Sequence, residues 1–280
     1  MNGLALKKSA LYCRCDMDGV ELHRFIGGTV AVFTTRSPEK ETPNEDAVAV
    51  IFSDESSGAL LVADGLGGLR SGELASQTVV DALASALKDR TGDNGSLRSG
   101  ILDGIEDGNR RLCEMAIGAA TTLAIVELRQ RTVRPFHVGD TVILIIGQRG
   151  KVKLQTISHS PIGFAVESGL LDEADAIHHE DRHLVSNVVG TPEMRIEIGS
   201  EIELAPRDTL LIASDGLLDN LQVDEIVDRI RIGPLQHAVG RLATDAGRRM
   251  RNGDTDSQHP SKPDDLTIVA FRPTSQAGEF

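Results

Sequence analysis

The first part of the chain alternates short apolar runs with polar turns. Residues 30–33, 47–52 and 59–63 are apolar, and the last two runs flank the polar segment 53–58. Apolar runs of about four to eight residues bounded by turn-forming residues are typical of buried strands. The pattern therefore predicts a strand at residues 30–33 and a buried hairpin over residues 47–63.

Two later segments have the spacing of amphipathic helices. Apolar side chains recur every three or four residues over residues 71–87 and again from residue 96 onward. This spacing places them on one face of a helix, so two helices are predicted. Their apolar faces contain Val79, Val80, Leu83, Ala84 and Leu87 in the first helix and Leu97, Ile101, Ile105, Leu112 and Met115 in the second.

After Gly118 the pattern changes to short strands with short connections. Strand-like segments follow one another closely at residues 121–127, 132–138, 141–146 and 151–157. Connections of this length join antiparallel strands, because a parallel crossover needs about a dozen residues or more. We therefore predict an antiparallel meander in this part of the chain.

The rest of the chain combines an irregular segment with further strands and helices. Residues 158–183 are polar and lack a clear period, which predicts a surface flap. Strands are expected at residues 208–213 and 266–271, and helices at residues 222–232 and 235–250. Runs of strands next to paired helices indicate an α+β fold with antiparallel sheet covered by helices. No Pro-, Gly- or Ser-rich linker divides the chain, so we expect one domain over residues 1–280.

The charge and composition narrow the choice of partners. The chain has 29 Lys and Arg against 42 Asp and Glu, a formal net charge of −13. An acidic surface repels phosphate groups, so we expect no nucleic-acid and no membrane partner. The sequence has no apolar run near the roughly 20 residues of a membrane helix, and no secretory signal pattern. Together with an odd number of cysteines, three, this predicts a cytoplasmic protein.

Acidic residues lie at the edges of several apolar runs. Asp64 and Asp215 each come at the end of a run and precede a glycine, and Asp46 and Asp264 lie just before one. If these strands are neighbours, the carboxylates meet and raise one another's pKa, and a divalent cation relieves that repulsion. Carboxylate and carbonyl oxygens suit Mg²⁺ or Mn²⁺. Taken singly, each motif also fits an ordinary turn.

Six motifs recur in order at residues 44–47, 62–68, 118–122, 137–141, 211–217 and 264–269. They include Asn-Glu-Asp, Asp-Gly-Leu-Gly-Gly, Gly-Asp-Thr, Ser-Asp-Gly and Asp-Asp-Leu-Thr. In this combination the chain resembles the metal-dependent serine/threonine protein phosphatases of type 2C, in their compact bacterial form. The resemblance implies a four-layer α/β/β/α sandwich of two mainly antiparallel sheets flanked by helices. It also implies hydrolysis of phosphoserine and phosphothreonine in proteins.

The same resemblance implies roles for individual residues. Asp64 would bridge two divalent cations, Mg²⁺ or Mn²⁺, and the Gly65 carbonyl would join one of them. Asp215 and Asp264 would complete the other, and Asp46 would bind a metal or order its waters. The implied mechanism is direct attack on phosphorus by a water that bridges the two metals, without a phosphoenzyme. Asp64 and Asp46 are therefore the catalytic candidates.

Two further positions carry open alternatives. Asp140 matches a position that is tied to a third, weaker metal ion in bacterial relatives, but it also fits a turn residue between two strands. Asp265 stands where relatives often have Asn, which suggests that it supports the ligands rather than binding metal.

The chain departs from the family pattern at the substrate side. Relatives often have an arginine before the Asn-Glu-Asp motif that binds the substrate phosphate. The candidates here are Lys40 and, second, Arg36, and both also fit solvated loop charges. Leu66 stands where eukaryotic relatives have a histidine that protonates the leaving group. Because leucine has no proton to donate, a water would have to do so.

The implied partners are a phosphorylated protein substrate and an opposing serine/threonine kinase system. Two alternatives remain open: a regulatory binding module that keeps the fold with little turnover, and a phosphatase for small metabolites. His178, His179 and His183 in the predicted flap also suggest a zinc site, but they lack a clear fourth ligand.

Overall fold

Two antiparallel sheets lie face to face in the computed structural model, which describes residues 9–66, 71–88, 96–176, 179, 181, 184–252 and 261–274. In chain order the strands are β1 (Ala10–Cys13), β2 (Glu21–Phe25), β3 (Gly28–Thr35), β4 (Asp46–Phe52), β5 (Ser57–Leu66), β6 (Ala120–Thr121), β7 (Leu123–Arg129), β8 (Thr132–Val138), β9 (Val142–Ile146), β10 (Val152–Gln155), β11 (Glu197–Ile198), β12 (Ile202–Glu203), β13 (Thr209–Ala213) and β14 (Leu266–Pro273). The helices are α1 (Gly72–Lys88), α2 (Leu97–Met115), α3 (Pro161–Glu167), α4 (Glu173–Ala176), α5 (Asp215–Leu218), α6 (Val223–Ile230) and α7 (Leu235–Asn252).

The strand order divides the elements between the two sheets. The first sheet runs β1-β4-β5-β7-β8-β11, with β6 paired to β5 and β12 paired to β8. The second sheet runs β10-β9-β13-β14-β3-β2. Every pairing in both sheets is antiparallel among the described strands.

Three apolar clusters hold the layers together. Side chains such as Val48, Leu60 and Phe271 fill the space between the two sheets. A second cluster packs α1 and α2 on the outer face of the first sheet, and a third packs α5, α6 and α7 on the outer face of the second. The central strands are covered on both sides, which explains their continuous apolar runs. The predicted fold class, a four-layer α/β/β/α sandwich, is confirmed.

The predicted helices and the hairpin are present. β4 pairs with β5 as an antiparallel hairpin, and α1 and α2 begin and end close to the predicted residues. Ser96 caps α2, because its side chain accepts a hydrogen bond from the backbone N–H of Ser99.

The predicted meander is wrong in one respect. β7 pairs with β8 in the first sheet, whereas β9 pairs with β10 in the second. The connection at residues 139–141 passes from one sheet to the other, and Gly139 has a φ of +104° there. A short turn can lead to a facing sheet as well as to a neighbouring strand, and the apolar pattern is the same in both cases.

The predicted flap is also more regular than expected. Residues 158–183 include α3, whose N-terminus is capped by Ser160, and the short α4. None of the residues of α3 is buried, so the helix lies outside the core although its sequence is mostly apolar. Among the described helices, none is both long enough and apolar enough to cross a membrane.

Candidate metal centre and active site

Acidic side chains from both sheets meet where the central strands begin or end, at one end of the sandwich. Asp46 on β4 and Asp64 on β5 are direct register partners in the first sheet. Asp215 follows β13 and Asp264 precedes β14, and these two strands are neighbours in the second sheet. The charge of Asp64 interacts with those of Asp46, Asp140, Asp215 and Asp264. The structure therefore brings together the five aspartates that the sequence singled out.

The carboxylate of Asp46 is held in one orientation with one oxygen free. Asp46 is 1% exposed. Its Oδ2 accepts a hydrogen bond of 2.8 Å from the Ser214 hydroxyl, which in turn accepts one from the backbone N–H of Thr267. Its Oδ1 is buried and has no hydrogen-bond partner among the described residues. A buried carboxylate oxygen without a partner is costly unless a ligand completes it.

Asn44 fixes the backbone next to Asp46. The Asn44 amide donates to the Cys15 carbonyl at 2.8 Å and to the Thr34 hydroxyl at 2.9 Å. Its Oδ1 accepts from the backbone N–H of Asp46 at 2.9 Å. Asn44 is itself buried, so this residue of the Asn-Glu-Asp motif ties the start of β4 to β3.

Burial and like charges raise the pKa of the clustered carboxylates. Burial, together with the charges of Asp265 and Asp264, raises the pKa of Asp46 to about 7. Burial and the neighbouring aspartates raise the pKa of Asp64 and Asp215 well above the usual range. A cation would reverse these shifts. The oxygen-only donor set, the raised pKa values and the free Oδ1 of Asp46 fit a site for hard divalent cations.

Two glycines allow backbones to approach closely at the site. A Cβ on Gly65 would lie 2.1 Å from the Gly72 carbonyl oxygen, and a Cβ on Gly216 would lie 2.0 Å from the Asp265 carbonyl oxygen. Any side chain at these positions would force the backbone apart. Glycine is therefore required after Asp64, where β5 meets the start of α1, and after Asp215, where α5 meets the segment before β14.

Asp219 and Lys262 belong to the cluster and were missed by the sequence analysis. One carboxylate oxygen each from Asp215, Asp219 and Asp264 lie within 4.8 Å of one another. The Lys262 Nζ lies 3.1 Å from Asp215, 2.7 Å from Asp219 and 2.9 Å from Asp264. Asp219 lies four residues after Asp215, a spacing that places two residues on the same side of a helical turn. That spacing was a signal for Asp219.

Asp140 lies in the turn that connects the two sheets. Burial, with the charges of Asp219 and Asp264, raises the pKa of Asp140 to about 6. The backbone N–H of the neighbouring Gly139 donates to His159 Nδ1 at 3.0 Å. Because Nδ1 accepts this bond, the proton of neutral His159 lies on Nε2, which donates to Glu197 at 3.0 Å. Asp140 is thus both a turn residue and a neighbour of the aspartate cluster.

The two predicted phosphate-binding residues are both paired. Lys40 Nζ lies 2.6 Å from Glu45 and 2.6 Å from Asp265, and these hydrogen bonds raise the pKa of Lys40 despite its burial. Arg36 pairs with Asp16 at 3.2 Å, and its side chain is 44% exposed. The buried Asp265 carboxylate also accepts from the backbone N–H groups of Ser37 and Glu45. Asp265 therefore organises the loop before β4.

The remaining candidates are placed as follows. Leu66 ends β5, and residues 67 and 68 of the same motif lie outside the described residues. His178 and His183 also lie outside them. His179 Nδ1 accepts from the backbone N–H of Asp181 at 3.1 Å.

Comparison with known proteins decides the family. The family model for "Protein phosphatase 2C" matches residues 35–241. The chain belongs to the protein phosphatase 2C family. This confirms the predicted family and, with it, the enzyme class of protein phosphatase.

Individual relatives agree with the assignment. Protein phosphatase PhpP of Streptococcus pneumoniae is 28% identical over 221 residues, which cover 75% of this chain and 89% of PhpP. The solved serine/threonine phosphatase PstP/Ppp of Mycobacterium tuberculosis is 25% identical, with a TM-score of 0.72 and coverage of 88% of this chain and 98% of that one. A catalytic domain of PstP solved with two manganese ions shares the fold, with 24% identity, a TM-score of 0.70 and coverage of 88% and 98%.

Proposed function

We propose that this phosphatase hydrolyses phosphoserine and phosphothreonine in proteins with the help of two divalent cations, Mg²⁺ or Mn²⁺. The observation that carries the proposal is the convergence of Asp46, Asp64, Asp215 and Asp264 from both sheets at one end of the sandwich. Their oxygens form a set of hard ligands with excess negative charge.

The residues divide between the two cations. Asp64 would contribute to both ions. The Gly65 carbonyl and Asp46 would serve the ion on the side of the first sheet, and Asp215 and Asp264 the ion on the side of the second. Asp140 would serve a third, weaker ion, and the charges that it shares with Asp219 and Asp264 support this role. When bound, such ions activate water as a nucleophile at neutral pH and neutralise charge on phosphoryl oxygens.

The protein's own groups orient the reacting partners. Ser214 and Asn44 hold Asp46 so that its free Oδ1 can accept a hydrogen bond from a water molecule. A bound cation would keep this carboxylate ionised, as an acceptor must be. The role of Asp46 would therefore be to orient the attacking water.

The two candidate phosphate-binding residues, Lys40 and Arg36, differ in their surroundings. Lys40 already holds Glu45 and Asp265, whereas Arg36 has one partner, Asp16, and is more exposed. Arginine also matches the geometry of phosphate oxygens better than lysine does. We therefore favour Arg36 for the substrate phosphate and Lys40 for holding the loop. Leu66 offers no proton, so water would protonate the leaving group.

The wider setting follows from the same activity. A phosphatase for phosphoproteins implies an opposing serine/threonine kinase and a role in cytoplasmic signalling. The apolar cluster shared by the two sheets supports one domain over residues 1–280. The exposed Phe164 and Leu170 support a flap at residues 158–183 that contacts other molecules.

Phosphate release from a phosphothreonine peptide tests the proposal. A chelator should abolish release, and added Mn²⁺ or Mg²⁺ should restore it. Asp64→Asn should lower the rate by about 10²–10³-fold or more, because it removes a charge that stabilises the transition state through the cations. Asp208→Asn is the matched control, since Asp208 is buried and paired with Lys153 at the opposite end of β13.

Other outcomes would favour the alternatives. Full activity of chelated protein or of Asp64→Asn would reject metal-dependent hydrolysis at this site. Calorimetric binding of Mn²⁺ without turnover would favour a regulatory binding module. Release from sugar phosphates but not from phosphopeptides would favour a phosphatase for small metabolites.

A further inference from the structure

The ammonium group of Lys262 lies at the centre of three carboxylates. Its Nζ is 3.1, 2.7 and 2.9 Å from one oxygen each of Asp215, Asp219 and Asp264. An ammonium group has three N–H donors, so these contacts use all of them. Burial disfavours the charge, but the three aspartates outweigh that effect and raise the pKa of Lys262. Lys262 is therefore a charged group surrounded by opposite charge.

The backbone of Lys262 is fixed so that its side chain points to this place. The Lys262 N–H donates to Asn220 Oδ1 at 3.0 Å, and the Lys262 carbonyl accepts from Asn220 Nδ2 at 2.8 Å. Asn220 is fully buried, and its Nδ2 also donates to the Gly216 carbonyl. One side chain thus ties Lys262 to the same short segment that carries Asp215 and Asp219.

The position of Lys262 conflicts with a metal ion bound by the same carboxylates. A Mg²⁺ ion lies about 2.0–2.1 Å from its oxygen ligands. The Nζ lies near 3 Å from oxygens of Asp215 and Asp264, so a metal ion bound to the same oxygens would lie very close to the ammonium group. Like charges this close repel strongly where water is excluded.

We propose that Lys262 is an internal cation that occupies the second-sheet half of the metal site and must leave before the ion of Asp215 and Asp264 binds. The inference rests on the proposed metal-dependent function. Without metal, Lys262 offsets part of the negative charge of the cluster and thereby lowers the affinity of this half for Mg²⁺ or Mn²⁺. The first-sheet half, with Asp46 and the Gly65 carbonyl, binds its ion without this competition.

Calorimetric titration of the full chain with Mn²⁺ tests the proposal. Lys262→Met should bind Mn²⁺ about tenfold more tightly or better at one site, which corresponds to about 1.4 kcal/mol or more. Lys262→Arg keeps the positive charge and should bind within a few-fold of wild type. Lys153→Met is the matched control: it removes a lysine paired with the buried Asp208 and should leave Mn²⁺ affinity unchanged.

Thermal unfolding provides a second readout that is independent of activity and of calorimetry. Without metal, Lys262→Met should unfold at a lower temperature than wild type, because three carboxylates lose their countercharge. With saturating Mn²⁺ the difference should shrink or reverse. A merely structural lysine would lower the unfolding temperature equally with and without Mn²⁺, and that result would overturn the proposal.

The outcomes separate this inference from the proposed function. Equal or weaker Mn²⁺ binding by Lys262→Met, with clear binding by wild type, overturns the role of Lys262 alone. No binding by either protein rejects the metal site and the inference with it. Binding by Lys262→Met but not by wild type supports the inference in its strongest form.

Discussion

The two halves of the site hold their carboxylates in opposite ways. In the first sheet, Asp46 and Asp64 are register partners on adjacent strands, and no ion pair to either carboxylate occurs among the described residues. In the second half, Asp215 follows β13, Asp264 precedes β14 and Asp219 follows α5, and all three surround Lys262. The first half is thus fixed by backbone pairing, and the second by an internal cation.

The two halves of the site counter the repulsion between their carboxylates in different ways. Strand pairing holds Asp46 and Asp64 in place even though their pKa values are raised. The second half has no such pairing between its carboxylates, and a lysine provides the attraction instead. We therefore expect metal binding to rearrange the second half more than the first.

The largest effect that tests this comparison is the pH dependence of the stability of the metal-free protein. The folded protein raises the pKa of Asp46 from 3.8 to about 7. For a group whose pKa is raised by folding, stability is full below the unfolded value and falls as the pH rises through the folded value. Metal-free protein should therefore lose up to a few kcal/mol of stability between about pH 4 and pH 7.

Urea unfolding at several pH values, with and without Mn²⁺, measures this slope. Asp46→Asn should make the pH dependence shallower, because the amide does not titrate while Asp64 and Asp215 still do, and saturating Mn²⁺ should flatten it in wild type. If the variant and the wild type lose stability equally over this range, Asp46 is not a source of the repulsion.

A second prediction compares the two close backbone approaches. Gly216→Ala and Gly65→Ala should each destabilise the protein by about 1–3 kcal/mol, because the new Cβ meets a carbonyl oxygen of a neighbouring segment. Gly19→Ala is the matched control, since nothing lies within 4 Å of its Cβ position. Chemical denaturation measures all three variants, and a Gly216→Ala protein as stable as Gly19→Ala would contradict the contact.

The sequence predicted the aspartates of both halves for a physical reason. Each lies at the edge of an apolar run that has to be buried, so its carboxylate has to emerge where the strand ends. Lys262 and Asp219 could not be placed in the same way, because they lie in loop and helical-turn segments. Their meeting depends on how α5 and the loop before β14 pack, which the periodic pattern does not contain.

The split of the predicted meander has a similar cause. The sequences of β8 and β9 would show the same pattern of apolar residues if the two strands paired with each other as they do in facing sheets. Only the packing of the two sheets decides between these arrangements. The turn that carries Asp140 lies at this crossing, so the position of Asp140 in the site could not be predicted from the strand pattern alone.

The last prediction concerns the hydrogen bond that links the two halves of the site. Ser214, at the N-terminus of α5 beside Asp215, donates to Asp46 in the first sheet at 2.8 Å and accepts from the Thr267 N–H at 3.0 Å. Ser214→Ala should cost about 1–3 kcal/mol of stability, since it leaves a buried carboxylate oxygen and a buried N–H unpaired.

The same change should lower phosphate release by about 10–100-fold, as losses of groups that orient metal ligands usually do. Ser160→Ala is a suitable control, because Ser160 is also buried and caps a helix, α3, outside the aspartate cluster. The informative quantity is the loss of turnover compared with the loss of stability in Ser214→Ala. A Ser214→Ala protein that loses stability but keeps full turnover would mean that Asp46 is oriented by its strand alone, and that the two halves of the site work without this bond.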